Sequence, residues 1–126
     1  MKEKPFVLFV DDEPNVLRSY KRALRHEEYE VLVAHSGLEA LEVVKAHHVD
    51  IVVSDFRMAG MNGIELLQAV RSFDSKIVCA ILSGYADEAT VKQALKSNQI
   101  SRFLLKPIDN TELKSEIQKL LKLRVL

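Results

Sequence analysis

The feature that most constrains the fold is a strict alternation of short apolar runs with amphipathic helical patterns, repeated five times along 126 residues. Parallel neighbours in a sheet need a crossover connection, and right-handed crossovers place helices on both faces of the sheet. The alternation therefore predicts an α/β fold with a doubly wound, five-stranded parallel sheet in a three-layer αβα sandwich. The predicted strands are Phe6 to Val10, Glu30 to Ala34, Asp50 to Ser54, Lys76 to Leu82 and Arg102 to Leu105.

The apolar content of the five runs indicates their places in the sheet. The first, third and fourth runs are nearly continuous in apolar residues, which is typical of strands covered on both faces. The second and fifth runs are mixed, so we expect them at the edges. Helix starts are marked by Pro14, which is tolerated in a first helical turn, and by pairs with capping-box spacing. These pairs are Ser36 with Glu39, Asn62 with Glu65, and Asp109 with Glu112.

Composition limits the remaining possibilities. With 48% apolar and 29% charged residues, the chain has enough apolar side chains for one packed core, and we expect one domain over residues 1–126. Basic and acidic residues, 18 of each, create no overall field towards nucleic acid or an anionic membrane. The single cysteine, Cys79, cannot form an internal disulfide, and the sequence has no recognisable secretion signal or membrane-spanning run. We therefore expect a cytoplasmic protein.

Polar and charged side chains follow four of the five predicted strands. Asp11 and Asp12 follow the first strand, Asp55 the third, Ser83 the fourth and Lys106 the fifth. In an open α/β sheet, ligands bind outside the carboxyl ends of the strands, which all lie along one edge. We therefore expect these groups to converge on a single site.

Three carboxylates at such an edge are unstable on their own. Two carboxylates ~4 Å apart repel each other by about 4 kcal/mol at an effective dielectric constant of about 20, so the cluster requires a cation. All candidate ligands are oxygen atoms, which favours the hard ion Mg²⁺ over zinc. With Lys106 counted, one divalent ion balances the remaining negative charge. Because Mg²⁺ in such sites also binds phosphate oxygens, the cluster indicates phosphoryl chemistry with an aspartate as covalent acceptor.

Taken in order along the whole chain, these residues and the turn at residues 58–63 resemble the receiver domains of two-component response regulators. The resemblance implies the flavodoxin-like strand order 2-1-3-4-5. It also implies that Asp55 is the phosphoacceptor and that Asp12 binds Mg²⁺ directly. Asp11 would act largely through metal-bound water, and the backbone carbonyl of Arg57 would be a further ligand.

The same resemblance implies roles at the last two strand ends. Lys106 would pair with the phosphoryl group, and Ser83 would be the hydroxyl that moves to bond a phosphoryl oxygen, so that Asp55, Lys106 and Ser83 form the catalytic set. Phe103 occupies the position of the rotating switch aromatic residue. The peptide bond between Lys106 and Pro107 is expected to be cis.

The sequence departs from the family pattern in the turn after Asp55, where Ala59 stands in place of the usual proline. We expect this loop to be less restrained in the unfolded chain than it would be with proline. The change lowers the free energy of unfolding by about 0.4–1 kcal/mol and leaves the chemistry unchanged. Arg57 and Tyr85 lie two residues after the acceptor and the switch serine, respectively. We hypothesise that their bulk limits the access of water and slows hydrolysis of the phosphorylated form.

The function that the resemblance implies is a phosphorylation-operated signalling switch. Such a domain catalyses its own phosphorylation and dephosphorylation and is not a turnover enzyme. The implied partners are a sensor histidine kinase or phosphotransfer protein, and an output domain or effector met through the last two helices and the fifth strand. The resemblance also implies a homodimer as a further state. We expect no direct contact of this domain with nucleic acid or with a membrane. The chain is then a stand-alone receiver or a fragment of a longer response regulator.

We weigh three other interpretations of the sequence, and specific residues count against two of them. A receiver-like interaction module could work without phosphorylation. An aspartyl-nucleophile phosphatase needs a second aspartate two residues after the first, where this chain has Arg57. A flavin carrier needs a hydroxyl-rich phosphate loop after the first strand, where this chain has Asp11 and Asp12.

Overall fold

The computed structural model describes residues 4–84, 88–97 and 100–124, in which five strands alternate with five helices. The strands are β1 (Phe6–Val10), β2 (Glu30–Ala34), β3 (Ile51–Ser54), β4 (Val78–Ser83) and β5 (Arg102–Leu105). The helices are α1 (Pro14–Leu24), α2 (Gly37–Ala46), α3 (Gly63–Phe73), α4 (Glu88–Lys96) and α5 (Asn110–Lys122).

All five strands belong to one parallel sheet with the order β2-β1-β3-β4-β5. Residues of α1 and α5 pack in one apolar cluster on one face, and residues of α2, α3 and α4 pack in a second cluster on the other face. The predicted doubly wound fold, with its flavodoxin-like order and three layers, is confirmed.

The central strands are buried on both faces, whereas the edge strands are partly exposed. Every residue of β3 and β4 is buried, as are four of the five residues of β1. In contrast, β2 begins with an exposed residue and β5 ends with one. Full burial of an aliphatic side chain contributes about 1.5–3 kcal/mol, so the three central strands form the most stable part of the frame. The acidic residues that follow β1 and β3 are therefore attached to the most stable part of the sheet.

The fourth strand begins two residues later than the sequence predicts, at Val78, and it extends to Ser83. The cause is a turn closed by Asp74, whose carboxylate accepts a hydrogen bond from the Lys76 N–H at 3.0 Å and whose carbonyl accepts one from the Ile77 N–H at 3.2 Å. The prediction that the strand starts at Lys76 was wrong because the apolar run that marks β4 already begins at Ile77, inside this turn. Ser83 is accordingly the last residue of the strand rather than the first residue after it.

The predicted caps begin three of the helices. In α3, the Asn62 side chain accepts from the Glu65 N–H at 2.9 Å, and the Glu65 carboxylate accepts from the Asn62 N–H at 3.0 Å. At the start of α2, Ser36 accepts from the Glu39 N–H at 3.1 Å, while the Glu39 carboxylate lies 3.3 Å from the His35 ring. At the start of α5, Asp109 likewise accepts from the N–H three residues ahead, at 2.8 Å.

Within residues 4–84, 88–97 and 100–124, none of the helices has the length and apolar character that a membrane span requires.

Candidate functional site

The strand ends bring the predicted site residues to one edge of the sheet. Backbone hydrogen bonds continue just past the strands: the Asp55 N–H donates to the Val10 carbonyl at 2.9 Å, and the Lys106 N–H donates to the Ser83 carbonyl at 3.1 Å. The Asp11 N–H donates to the Ala34 carbonyl at 3.2 Å. The backbone of these residues is therefore fixed by the sheet itself.

Three carboxylates form a cluster at this edge. One carboxylate oxygen from each of Asp11, Asp12 and Asp55 lies within 4.8 Å of the others. The three differ in exposure, because Asp11 is 2% exposed, Asp55 is partly buried and Asp12 is exposed. Asp11 Oδ1 accepts from the Glu13 N–H at 3.0 Å, and Asp55 Oδ1 accepts from the Phe56 N–H at 2.7 Å. These bonds fix one carboxylate oxygen of Asp11 and one of Asp55.

Lys106 bridges the two buried carboxylates unequally. Its Nζ lies 2.7 Å from Asp11 Oδ2 and 3.6 Å from Asp55 Oδ2. Burial alone lowers the pKa of Lys106, but the hydrogen bond to Asp11 and the surrounding charges outweigh this, so its pKa lies above the ordinary value of 10.5. The lysine is therefore a permanent cation at neutral pH, and its close partner is Asp11 rather than Asp55.

The charges of the cluster and lysine do not balance. Three carboxylates at minus one and one ammonium at plus one leave two negative charges within a small volume. The donor atoms are carboxylate oxygens, which are the ligands that a hard divalent cation prefers. The donor set therefore fits a single Mg²⁺ ion, which the side chains of Asp11, Asp12 and Asp55 could hold.

The structure describes all but one of the remaining predicted site residues. Ser83, at the end of β4, is 3% exposed. Phe103, in β5, is partly buried and packs against the apolar cluster of α2, α3 and α4. The peptide bond between Lys106 and Pro107 is cis. Arg57 is exposed, and Tyr85 lies outside the described residues.

Gly63 is a residue whose importance sequence reasoning did not identify beyond its place in the turn. A methyl group at this position would overlap the Asp55 carbonyl oxygen and would lie 2.9 Å from Ile81 Cδ1. The Gly63 N–H donates to the Phe56 carbonyl at 2.8 Å, and the Ser54 hydroxyl donates to the Asp55 carbonyl at 2.8 Å. The first turn of α3 is thus packed directly on the backbone of Asp55, and a glycine at a helix start is the only sequence signal of this approach.

Comparisons with known proteins agree with this geometry. A family model described as the response regulator receiver domain matches residues 7–118. The transcriptional regulatory protein ZraR of Klebsiella oxytoca is 37% identical over 107 residues, which cover 85% of this chain and 24% of ZraR. The sporulation initiation phosphotransferase F of Bacillus subtilis is 29% identical, with 98% of each chain covered. The chain therefore spans about a quarter of one relative and nearly all of another.

A solved structure shows the same architecture. The chemotaxis protein CheY4 of Vibrio cholerae aligns with a TM-score of 0.86 and 28% identity, covering 94% of this chain and 99% of that chain.

Proposed function

The chain belongs to the receiver domains of two-component response regulators, and from this membership we propose that it is a switch operated by phosphorylation of Asp55. Receiver domains are signalling switches rather than classical enzymes. The observation that carries the proposal is the meeting of three carboxylates and Lys106 at one edge of the sheet. We propose that residues 1–126 act as one receiver domain.

The proposed reaction transfers a phosphoryl group from a phosphohistidine of a partner kinase or phosphotransfer protein. A carboxylate oxygen of Asp55 attacks the phosphorus, the phosphorus–nitrogen bond breaks, and the donor imidazole leaves with the electron pair and takes a proton. Asp55 Oδ1 is held by the Phe56 N–H at 2.7 Å, which supports Oδ2 as the attacking atom. Dephosphorylation returns the carboxylate when water attacks the phosphorus and releases inorganic phosphate.

The chain's own residues orient the acceptor and balance the charge that the reaction adds. Phosphorylation replaces one negative charge on Asp55 by about two. Lys106, already 3.6 Å from Asp55 Oδ2, needs to move little to pair with a phosphoryl oxygen. Asp11, Asp12, Asp55 and the backbone carbonyl of Arg57 would hold a Mg²⁺ ion, which would supply electrostatic stabilisation of the phosphoryl oxygens.

The proposed output is a shift between two conformations. Ser83 ends β4 and is nearly completely buried, so a change in its hydrogen bonding must be accommodated by neighbouring packing. Phe103 lies in the adjacent strand β5 and is partly buried, which supports its role as the side chain that moves. We further propose that Arg57 and Tyr85 limit the access of water to the phosphorylated residue.

Partners and location are also part of the proposal. The phosphodonor is a sensor histidine kinase or phosphotransfer protein, and the output is a domain or effector that contacts α4, β5 and α5, with a homodimer as a further state. The spans of 24% of ZraR and 98% of phosphotransferase F support either a longer regulator or a stand-alone receiver. A cytoplasmic location remains a prediction.

The test is incubation with acetyl phosphate and Mg²⁺, followed by intact mass measurement. A gain of about 80 Da is expected, together with the added charge of a phosphate group. Asp55→Asn abolishes this gain, whereas the matched variant Asp50→Asn, at the opposite edge of the sheet, retains it. If the wild-type protein gains no mass, the unphosphorylated interaction module becomes the better interpretation. If rapid release of phosphate occurs at many turnovers without a detectable adduct, the phosphatase interpretation is favoured.

A further inference from the structure

Gly37 and Met61 make a close contact that the proposed chemistry does not use. Gly37 is buried at the start of α2. A Cβ atom added to it would lie 2.9 Å from Met61 Sδ, 3.1 Å from Met61 Cβ and 3.3 Å from Met61 Cγ. Non-bonded carbon atoms attract each other most strongly about 3.5–4.0 Å apart. The Met61 side chain therefore occupies the space that any side chain at position 37 would need.

The backbone conformation at Gly37 does not itself require glycine. Among the described glycines, Gly60 is the one with a positive φ, at 78°, whereas Gly37 begins a regular helix. Alanine favours a helix more than glycine does, because glycine loses more conformational freedom on folding. The glycine at this position is therefore explained by its contact with Met61.

The start of α2 is fixed relative to the end of β1. The Asp11 N–H donates to the Ala34 carbonyl at 3.2 Å, and Ala34, the last residue of β2, is completely buried. Three residues later Gly37 begins α2, where the cap Ser36 accepts from the Glu39 N–H at 3.1 Å. Gly37 thus follows a short connection that begins beside Asp11 and ends in a capped helix.

Met61 belongs to the loop that joins Asp55 to α3. The base of this loop is closed by the Gly63 N–H, which donates to the Phe56 carbonyl at 2.8 Å, and the Phe56 N–H donates to Asp55 Oδ1 at 2.7 Å. Between these points the loop runs through Arg57, whose backbone carbonyl is the proposed further ligand of Mg²⁺. Met61 is partly buried and packs against the apolar cluster of α2, α3 and α4. Its contact with α2 adds an anchor within this loop.

The contact joins the two segments that carry the proposed metal ligands, because one begins beside Asp11 and the other follows Asp55. Mg²⁺ requires near-ideal octahedral geometry, so a small displacement of one ligand weakens its binding. We propose that Gly37 and Met61 are positioning residues of the metal site, in which the methionine seated on the glycine holds the loop of residues 56–62 where the carbonyl of Arg57 is needed. This inference rests on the proposed Mg²⁺-dependent phosphorylation of Asp55.

The experiment is a double-mutant cycle in the full chain, with the affinity for Mg²⁺ measured by calorimetry. Gly37→Ala is expected to weaken Mg²⁺ binding by about tenfold, the lower end of the range for groups that orient metal ligands. Met61→Ala alone is also expected to weaken binding, because the loop loses its anchor. In the Met61→Ala background, adding Gly37→Ala should weaken binding further by less than about twofold, since the two changes act on one contact.

Met58 provides the matched control, because it lies in the same loop and packs against the same apolar cluster. In the Met58→Ala background, Gly37→Ala should weaken Mg²⁺ binding as much as it does in the wild-type protein. An equal loss in the Met61→Ala and Met58→Ala backgrounds overturns the inference. An unchanged affinity in Gly37→Ala or in Met61→Ala overturns it as well.

Urea melts without metal separate a positioning role from a structural one. Gly37→Ala should lower the urea midpoint in the wild-type background, but it should not lower the midpoint in the Met61→Ala background, where alanine fits and favours the helix. A lowered midpoint with unchanged Mg²⁺ affinity shows a structural contact only and overturns the inference. If the wild-type protein binds no Mg²⁺, the proposed function fails together with the inference. If it binds Mg²⁺ without coupling between Gly37 and Met61, the inference alone fails.

Discussion

Replacement of Gly63 by alanine tests how closely the phosphoacceptor depends on the helix that follows it. The added methyl group would overlap the Asp55 carbonyl oxygen and would lie 3.1 Å from the Asp55 carbonyl carbon and 2.9 Å from Ile81 Cδ1. The optimal separation of two non-bonded carbon atoms is about 3.5–4.0 Å, so the start of α3 has to move away from β3. Neither neighbour can yield easily, because one is backbone and Ile81 is completely buried.

Overpacking of this kind destabilises a protein by about 1–3 kcal/mol. We therefore expect Gly63→Ala to lower the free energy of unfolding by about 2 kcal/mol, which corresponds to roughly 8 °C in the melting temperature of a domain of this size. Because the displaced backbone carries Asp55, phosphorylation by acetyl phosphate at a temperature where the variant is folded should slow by about tenfold or more.

Two other glycines serve as controls in the same urea and thermal melts. A methyl group at Gly84 would lie 3.5 Å from Lys106 Cβ, which is an ordinary contact, so Gly84→Ala should change stability by no more than about 0.5 kcal/mol. Gly60 has a φ of 78° with no atom near the added methyl group, so Gly60→Ala should show backbone strain alone, about 1–2 kcal/mol. Stability and phosphorylation of Gly63→Ala equal to those of Gly84→Ala would refute the argument.

Four further predictions follow from burial and charge. Cys79 is completely buried, and burial raises the pKa of its thiol to about 12. Ellman's reagent at pH 8 should therefore react with the folded protein at least about 10³-fold more slowly than with the protein unfolded in urea, and similar rates contradict the buried placement. Tyr29 has a buried hydroxyl with no hydrogen-bond partner among the described residues. Tyr29→Phe should therefore leave the free energy of unfolding unchanged or raise it by up to about 1 kcal/mol, and a loss above about 1 kcal/mol in urea melts contradicts the unpaired hydroxyl. The charged form of Lys106 stabilises the fold fully below pH 10.5 and less as the pH rises above it, because its pKa is raised in the folded state. The difference in free energy of unfolding between wild type and Lys106→Met should shrink only in that alkaline range. A change in this difference between pH 6 and 9 contradicts the raised pKa of Lys106. Mg²⁺ at 100 times its dissociation constant should stabilise the protein by about 2.7 kcal/mol. Asp12→Asn should reduce this gain at the same Mg²⁺ concentration and should raise the melting temperature of the metal-free protein, because it removes one of three mutually repelling carboxylates; an unchanged Mg²⁺ gain contradicts the site.

The sequence predicts those features that depend on pattern and topology. Alternation alone identifies the ten elements, and the carboxyl-end rule for parallel strands brings Asp11, Asp55 and Lys106 to one edge. The central strands were recognisable because two-sided burial leaves a continuous apolar run. The start of β4 was not recognisable, because the apolar run already begins at Ile77, whereas Asp74 binds the N–H groups of Lys76 and Ile77 in a turn.

Features that depend on distances between side chains could not be predicted. The spacing of residues does not reveal that Lys106 lies nearer to Asp11 than to Asp55, since this depends on the path of a flexible side chain. The helical pattern of α1 places Tyr20 in the core, but the same pattern fits any large apolar residue and carries no information on its hydroxyl. Likewise, Gly63 is an ordinary helix-start residue until the separation of α3 and β3 is known.

The bond between Lys106 and Asp11 joins residues 95 positions apart and has a consequence for biosynthesis. A ribosome releases the amino-terminal strand long before β5 exists, so an incomplete chain contains the repelling acids without their ammonium. Contacts between distant residues form only after the intervening polypeptide has closed into a loop. The site is therefore completed last, and a truncated product that stops before β5 contains the acidic cluster without the ammonium of Lys106.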